Sequence, residues 1–145
     1  MIQIPQNLCT DITDEQASTV QGGLTLTIDK ITAIKTGADR NEGLPIYLGD
    51  DPYIKINGRG SAGTRIEEIK EGTPYSIGRK SNIGSSGTVE LVDYDGGGLF
   101  DVNRIFRGSD DSLGSFTVNS PTNGQVKKRI SGSNSTYDVF YSVSA

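Results

Sequence analysis

From Leu24 onward, the chain places apolar and polar residues alternately, in short runs that turn-forming residues separate. Leu24, Leu26 and Ile28 alternate with polar residues, a pattern that is typical of a strand with one buried face. After Ile28 the phase of the apolar positions slips, which predicts a β-bulge near Asp29 and Lys30. The chain is therefore expected to begin its folded part with a long, bulged strand.

Further runs of this kind predict seven more strands. They are Pro52–Asn57, Thr64–Ile69, Pro74–Ile83, Thr88–Val92, Leu113–Val118, Gln125–Ile130 and Thr136–Val143. In the second of these runs Ile66 and Ile69 are three residues apart, so a single helical turn is the alternative there. About eight short strands with turn-rich connections predict an all-β fold, namely an antiparallel β-sandwich.

Composition excludes several classes of protein. The 145 residues suit one domain, and 19 glycines with only 33% hydrophobic residues argue against a helical bundle. The chain has no histidine and a single cysteine, Cys9, which excludes histidine-dependent catalysis, a disulfide framework and a cysteine-rich zinc site. No apolar run approaches the roughly 20 residues of a membrane helix, so no transmembrane segment is expected. The net charge of −4 argues against a nucleic-acid partner.

Residues 1–23 differ from the rest because they contain three acidic residues and no basic one. Thr13–Gln21 is predicted to form a short helix that Thr13 caps and Gly22-Gly23 ends. This head resembles the double-glycine leaders of bacteriocin-like precursors. The matching residues are Ile12, Glu15, Val20, Gly22 and Gly23. The resemblance implies cleavage after Gly23 and export of residues 24–145 by a peptidase-containing ABC transporter. The alternative is a helix whose glycines merely join it to the first strand, in a protein that stays in the cytoplasm.

Acidic residues stand at the ends of three predicted strands. Asp51 precedes the second strand, Asp93 follows Thr88–Val92, and Asp111 precedes the Leu113 strand. If these ends lie at one pole of a sandwich, the carboxylates meet in a small volume and repel one another unless they share a cation. Hard oxygen ligands in flexible loops suit Ca²⁺. Alternatively, each aspartate is only a turn residue, because its side chain bonds to the backbone that follows.

Three motifs around these aspartates resemble C2 domains, which are calcium-dependent lipid-binding β-sandwiches. The motifs are Asp51-Pro52-Tyr53-Ile54-Lys55-Ile56, Val89-Glu90-Leu91-Val92-Asp93-Tyr94-Asp95 and Asp111-Ser112-Leu113-Gly114. They are similar, in the same order, to that family's Asp-Pro-Tyr-Val-Lys-Val strand, its strand ending in Asp-x-Asp, and its following Asp-x-Leu/Ile-Gly. The resemblance implies Ca²⁺ as cofactor and five ligands. These are Asp39, Asp51, Asp93, Asp95 and Asp111.

These patterns together indicate an exported calcium-binding β-sandwich that is not an enzyme. We expect Ca²⁺ to order the acidic loops, which then recognise a lipid headgroup or a glycan. The alternative is a secreted structural or self-assembling protein in which Ca²⁺ is only stabilising. The basic run Lys127–Arg129 is expected to protect an edge strand from aggregation rather than to bind a ligand.

Overall fold

The computed structural model describes residues 23–38, 49–94 and 110–145, which form an antiparallel β-sandwich. Its eight strands are β1 (Leu24–Lys35), β2 (Pro52–Ile56), β3 (Arg59–Gly60), β4 (Pro74–Gly84), β5 (Gly87–Asp93), β6 (Ser112–Val118), β7 (Val126–Gly132) and β8 (Ser135–Ser144). A short 3₁₀ helix lies at Ala62–Thr64. The predicted all-β sandwich of about eight strands is confirmed.

Each sheet contains four strands. One, the β1–β8 sheet, has the order β4-β1-β8-β7, and the other, the β2–β5 sheet, has the order β3-β2-β5-β6. The long strand β1 lies between β4 and β8, so that both of its edges are hydrogen-bonded. Strand β7, which carries Lys127–Arg129, lies at the edge of its sheet, as predicted. Lysine at such a position discourages edge-to-edge pairing with another chain.

The core lies between the sheets because every central strand presents one row of apolar side chains inward. On β8, the side chains of Tyr137, Val139, Tyr141 and Val143 are at most 8% exposed, and they form the single face that alternation predicts. Leu26, Ile28 and Ile31 lie beside them on β1 of the same sheet. Ile54, Leu91 and Leu113 join this core from the other sheet. This shared apolar layer is what holds the two sheets together.

The predicted bulge is present at Asp29. The register of β1 shifts between Ile28 and Lys30 against both of its neighbours, β4 and β8. One extra residue reverses the inside and outside positions that follow it. As a result Ile28 and Ile31 are both fully buried, although they are three residues apart.

The segment predicted as Thr64–Ile69 is neither a strand nor a helical turn, and this prediction is wrong. The chain makes a turn at Glu67 and Glu68, and Glu68 has a positive φ of 47°. Backbone hydrogen bonds from Ile66 to Pro52 and from Ile69 to Asp50 tie the segment to the start of β2. Burial of Ile69 therefore comes from an irregular loop that packs against the sandwich.

Strand β3 has no counterpart among the predicted strands, although its turn has a clear sequence signal. Asn57 and Gly58 connect β2 to β3 with φ values of 51° and 74°. Two consecutive positive φ values define the type I′ hairpin turn that Asn-Gly favours. The prediction failed because Arg59–Gly60 is only two residues long and has no apolar alternation.

Glycine allows the two sheets to approach closely where β6 meets β7. A Cβ atom on Gly132 would lie 2.4 Å from the carbonyl oxygen of Ser112, and one on Gly114 would lie 2.9 Å from the backbone nitrogen of Ser131. On the opposite side, the Arg79 guanidinium of β4 donates to the carbonyl oxygens of Ile54 and Arg59. Burial lowers the pKa of Arg79. Both sides of the sandwich are thus joined by close backbone or side-chain contacts.

The predicted helix Thr13–Gln21 and Gly22 lie outside the described residues, so the division into residues 1–23 and 24–145 stays a prediction. Gly23 is described, and it directly precedes β1. Among the residues that the structure describes, no helix is long and apolar enough to cross a membrane.

Candidate functional site

The strand register brings three of the predicted site residues to one end of the sandwich. Pro52 pairs with Asp93 across β2 and β5, and Val92 pairs with Ser112 across β5 and β6. The strand ends that carry Asp51, Asp93 and Asp111 therefore meet, which fulfils the condition under which the sequence places their carboxylates close together. Together with Asp110, these residues are called the acidic pole below.

Asp93 is the buried member of the acidic pole, and its hydrogen bonds stabilise the pole. Its side chain is fully buried, and its carboxylate accepts the backbone N–H of Asp51. Its own N–H donates to the carbonyl oxygen of Asp111 at 2.8 Å. Asp93 thus connects the ends of β2, β5 and β6, which is a structural task whether or not an ion binds nearby.

The carboxylate of Asp51 is engaged by two donors. One oxygen accepts the backbone N–H of Glu68 at 2.7 Å, and the other accepts the Arg65 guanidinium at 2.8 Å. The first bond holds the turn at Glu68, and the second places a cation directly beside the acidic pole. Arg65 therefore supplies to Asp51 the positive charge that a metal ion would otherwise provide.

Asp110 orients an aromatic side chain of β2. It accepts the hydroxyl of Tyr53 at 2.7 Å. Burial and this hydrogen bond raise the pKa of Tyr53, and contact with Tyr53 also raises the pKa of Lys55. At neutral pH Tyr53 consequently stays a hydroxyl donor with a fixed ring.

Asp50 belongs to the core rather than to the acidic pole, although it precedes Asp51 in the chain. One carboxylate oxygen accepts the backbone N–H groups of Gly37 and Ala38, and the other accepts the hydroxyls of Ser135 and Tyr137. With four donors, a fully buried carboxylate is satisfied. It fastens the end of β1 and the start of β8 to the start of β2.

The described carboxylates do not by themselves make a calcium site. In residues 23–38, 49–94 and 110–145, no group of three or more acidic, histidine or cysteine side chains is arranged to hold a metal ion. Asp39 and Asp95 lie outside these residues. Because Ca²⁺ requires about six to eight oxygens, further ligands are needed, and the predicted ligand set stays a prediction.

An aromatic cleft lies beside the acidic pole, on the outer face of the β2–β5 sheet. It has a volume of about 620 Å³. The described residues that line it are Tyr53, Gly60, Ser61, Arg65, Glu67 and Tyr94. The rings of Tyr53 and Tyr94 meet edge to face with their centroids 6.3 Å apart, and the Arg65 guanidinium lies 4.2 Å from the centroid of Tyr94. The fold and this site define an antiparallel β-sandwich with a concave, aromatic and polar surface at one end.

No protein-family model matches the chain, and no curated protein matches it. Among solved structures, the chain is similar to one described as the structure of a C2 domain. The two are 16% identical with a TM-score of 0.40, and the match covers 84% of this chain and 97% of that one.

Proposed function

We propose that this chain is a non-catalytic recognition module whose binding surface combines the acidic pole with the aromatic cleft. The observation that carries the proposal is their juxtaposition, since Tyr53 lines the cleft and bonds to Asp110 of the pole. Small-molecule sites are typically concave and apolar, with a few oriented polar groups, and the cleft fits this description. The carboxylates of Asp51 and Asp93 hold backbone donors, which supports a scaffold role rather than acid–base catalysis.

Ca²⁺ is the proposed cofactor of the acidic pole. The proposal is supported by the meeting of the strand ends that carry Asp51, Asp93 and Asp111, and by the preference of Ca²⁺ for carboxylate oxygens. Since Arg65 already neutralises Asp51, the ion needs further oxygens, for which Asp39 and Asp95 are the proposed source. The ion would lower the repulsion among the carboxylates and thereby order the loops that bear them.

Calorimetric titration of the chelator-treated full chain with Ca²⁺ tests this proposal. We expect saturable binding at or below about 1 mM, the weak limit for extracellular calcium modules. Asp111→Asn should weaken binding at least about tenfold because one ligand loses its charge. Asp29→Asn removes a carboxylate from the other sheet and should bind like the wild type. Absence of saturable binding, or equal affinity in the Asp111 and Asp29 variants, would contradict the proposed site.

Export after cleavage at Gly22-Gly23 is the proposed route of the protein out of the cell, with a peptidase-containing ABC transporter as partner. This proposal is supported by the position of β1, which begins at Leu24, directly after the proposed cleavage point. Removal of residues 1–23 would leave all eight described strands complete. The released domain would contain no cysteine and would need no disulfide chemistry to fold.

A further inference from the structure

The ring of Tyr53, which forms one wall of the aromatic cleft, is held in place without a ligand. Three neighbours hold the ring of Tyr53: Asp110 accepts its hydroxyl, the edge-to-face ring of Tyr94 packs against it, and the Lys55 ammonium lies 5.3 Å from its centroid. Because these contacts already restrict the ring, a ligand that stacks on it loses little binding energy to side-chain ordering.

Gly60 keeps the cleft open next to Tyr53. A Cβ atom at Gly60 would lie 3.2 Å from the Cε2 atom of Tyr53, so even a methyl group would crowd the ring. Gly60 lies in β3 and, unlike Gly58 in the preceding turn, does not have a positive φ. The backbone conformation therefore does not require glycine here, whereas the space in front of Tyr53 does.

The polar groups of the cleft include both donors and acceptors. Arg65 donates, the carboxylate of Glu67 accepts, and Ser61 can do either. A sugar ring has an apolar face of C–H groups and a rim of hydroxyls that both donate and accept. The negative face of an aromatic ring attracts the positively polarised C–H groups, while mixed polar side chains suit the hydroxyl rim.

The charge balance disfavours an anionic ligand at the same place. The Arg65 guanidinium is paired with Asp51 at 2.8 Å and lies 3.9 Å from Glu67. A phosphate or sulfate would have to compete with both carboxylates for this cation. It would also have to compete with the charges of Asp110 and Glu90 for the Lys55 ammonium near Tyr53. A neutral, polyhydroxylated ligand avoids that competition.

We propose that the aromatic cleft binds a neutral carbohydrate, which stacks a sugar ring on Tyr53 and bonds its hydroxyls to Arg65 and Glu67. The proposal rests on the proposed function as a recognition module and names the class of its ligand. The volume of the aromatic cleft, about 620 Å³, lies within the range of small-ligand sites. Gly60 sets the specificity of the cleft by leaving room for the sugar ring in front of Tyr53.

Native electrophoresis of the full chain through gels that contain dextran, starch, galactomannan or a β-glucan tests the proposal. We expect at least one of these neutral polysaccharides to retard the wild type. Tyr53→Ala removes the stacking surface, and Gly60→Leu fills the space in front of it, so each should weaken binding at least about tenfold. Phe140→Ala is the matched control, since it truncates a half-buried aromatic ring on the outer face of the other sheet.

Urea midpoints of the three variants check that they are folded, and Gly60→Leu keeps the test valid if Tyr53→Ala does not fold. Absence of retardation in all four neutral gels would overturn the proposal. So would retardation of Tyr53→Ala and Gly60→Leu equal to that of the wild type. Retardation only by anionic alginate, or sedimentation only with anionic phospholipid vesicles, would replace the neutral sugar by an anionic ligand.

The same gels run with a chelator separate this inference from the calcium proposal. Glu67 is the one carboxylate among the described residues that line the cleft, and Ca²⁺ needs about six to eight oxygens, so we expect binding of polysaccharide to persist without Ca²⁺. Retardation without calorimetric binding of Ca²⁺ would contradict only the proposal that Ca²⁺ is the cofactor. Calorimetric binding of Ca²⁺ without retardation in any neutral gel would contradict only the proposal that the cleft binds a neutral carbohydrate.

Discussion

Asp50 and Asp51 are adjacent in the chain, yet their carboxylates have different surroundings. Asp50 is fully buried among four donors, whereas the side chain of Asp51 is 21% exposed and paired with Arg65. The sequence does not distinguish the two, because the donors to Asp50 come from residues as distant as Tyr137. Aspartates at a strand end could be predicted from the sequence, but their separate tasks could not.

Asp50→Asn tests whether the buried Asp50 carboxylate stabilises the fold through its four donors. The substitution keeps the shape but replaces one acceptor oxygen by an NH₂ group, which then faces donors instead of accepting from them. Leaving buried donors without an acceptor should lower the free energy of unfolding by about 2 kcal/mol, measured by urea denaturation. Asp110→Asn on the exposed surface is the control and should change it by less than about 0.5 kcal/mol. Similar losses in both variants would contradict a core role that is particular to Asp50.

The tyrosines show the same limit of sequence-based inference. Alternation on β8 correctly predicted that Tyr137 and Tyr141 face the core. By the same alternation, Tyr53 is on the outer face of β2, whereas its chain neighbour Ile54 is on the inner face. Its role in the cleft depends on Tyr94 and Gly60, which reach it only through the pairing of β2 with β5 and β3. The outward position could be predicted, whereas the cleft required the tertiary structure.

At the scale of strands, local pattern was sufficient wherever a run was long and alternated regularly. β5, β6 and β8 begin and end within one residue of their predicted bounds, because burial of one face imposes a period of two. The errors fall at β3, which is too short to alternate, and at the loop before β4, where Ile66 and Ile69 pack without regular structure. Periodicity reports burial, and an irregular loop can bury apolar residues as well as a strand can.

The pairing of the edge strand β7 with β8 should depend on pH through Asp138. The Arg129 guanidinium donates to both oxygens of the Asp138 carboxylate, at 2.7 and 2.9 Å, in the cross-strand pair. The hydrogen bond to Arg129, assisted by the charges of Arg129 and Lys127, lowers the pKa of Asp138 below its ordinary value of 3.8 although burial opposes the change. A carboxyl group whose folded-state pKa is lowered stabilises the fold above its unfolded pKa, and the contribution is lost as the pH falls through the folded pKa.

Arg129→Gln should therefore be less stable than the wild type at neutral pH, and the difference should diminish below the ordinary pKa of 3.8. Urea midpoints between neutral and strongly acidic pH measure this. Lys128→Gln is the control, because Lys128 lies on the same strand opposite Val139 rather than Asp138. A difference between Arg129→Gln and the wild type that is independent of pH would contradict the role of the ion pair.

For the whole molecule, the sequence indicated which residues stand at strand ends but not which strands are neighbours. The acidic pole forms because β5 pairs with both β2 and β6, so that one end of β5 adjoins the start of each. This order of strands depends on long-range packing of the two apolar faces. The meeting of Asp51, Asp93 and Asp111 was thus predicted only on the condition that their ends share a pole, a condition that the topology fulfils.

The boundary of the folded domain provides a test on the scale of the whole chain. If residues 1–23 are a leader, residues 24–145 should unfold cooperatively in urea, with a free energy of unfolding within about 0.5 kcal/mol of that of the full chain. The physical reason is that β1 begins at Leu24, which pairs with Gly84, so the shortened chain keeps every described strand whole. Residues 27–145 are the matched comparison. This further cut removes the fully buried Leu26 and should cost at least about 2 kcal/mol.

A large loss of stability in residues 24–145 would instead favour the head as a part of the folded domain, and the two glycines as a plain connection to β1. Intact-mass measurement of protein recovered outside the producing cells examines the cleavage itself, and Leu24 is the expected first residue. Detection of Met1 in that material would contradict the leader, whatever the stability of the shortened chain. Stability and cleavage are separate questions, because the sandwich can be complete without its head even where no peptidase removes it.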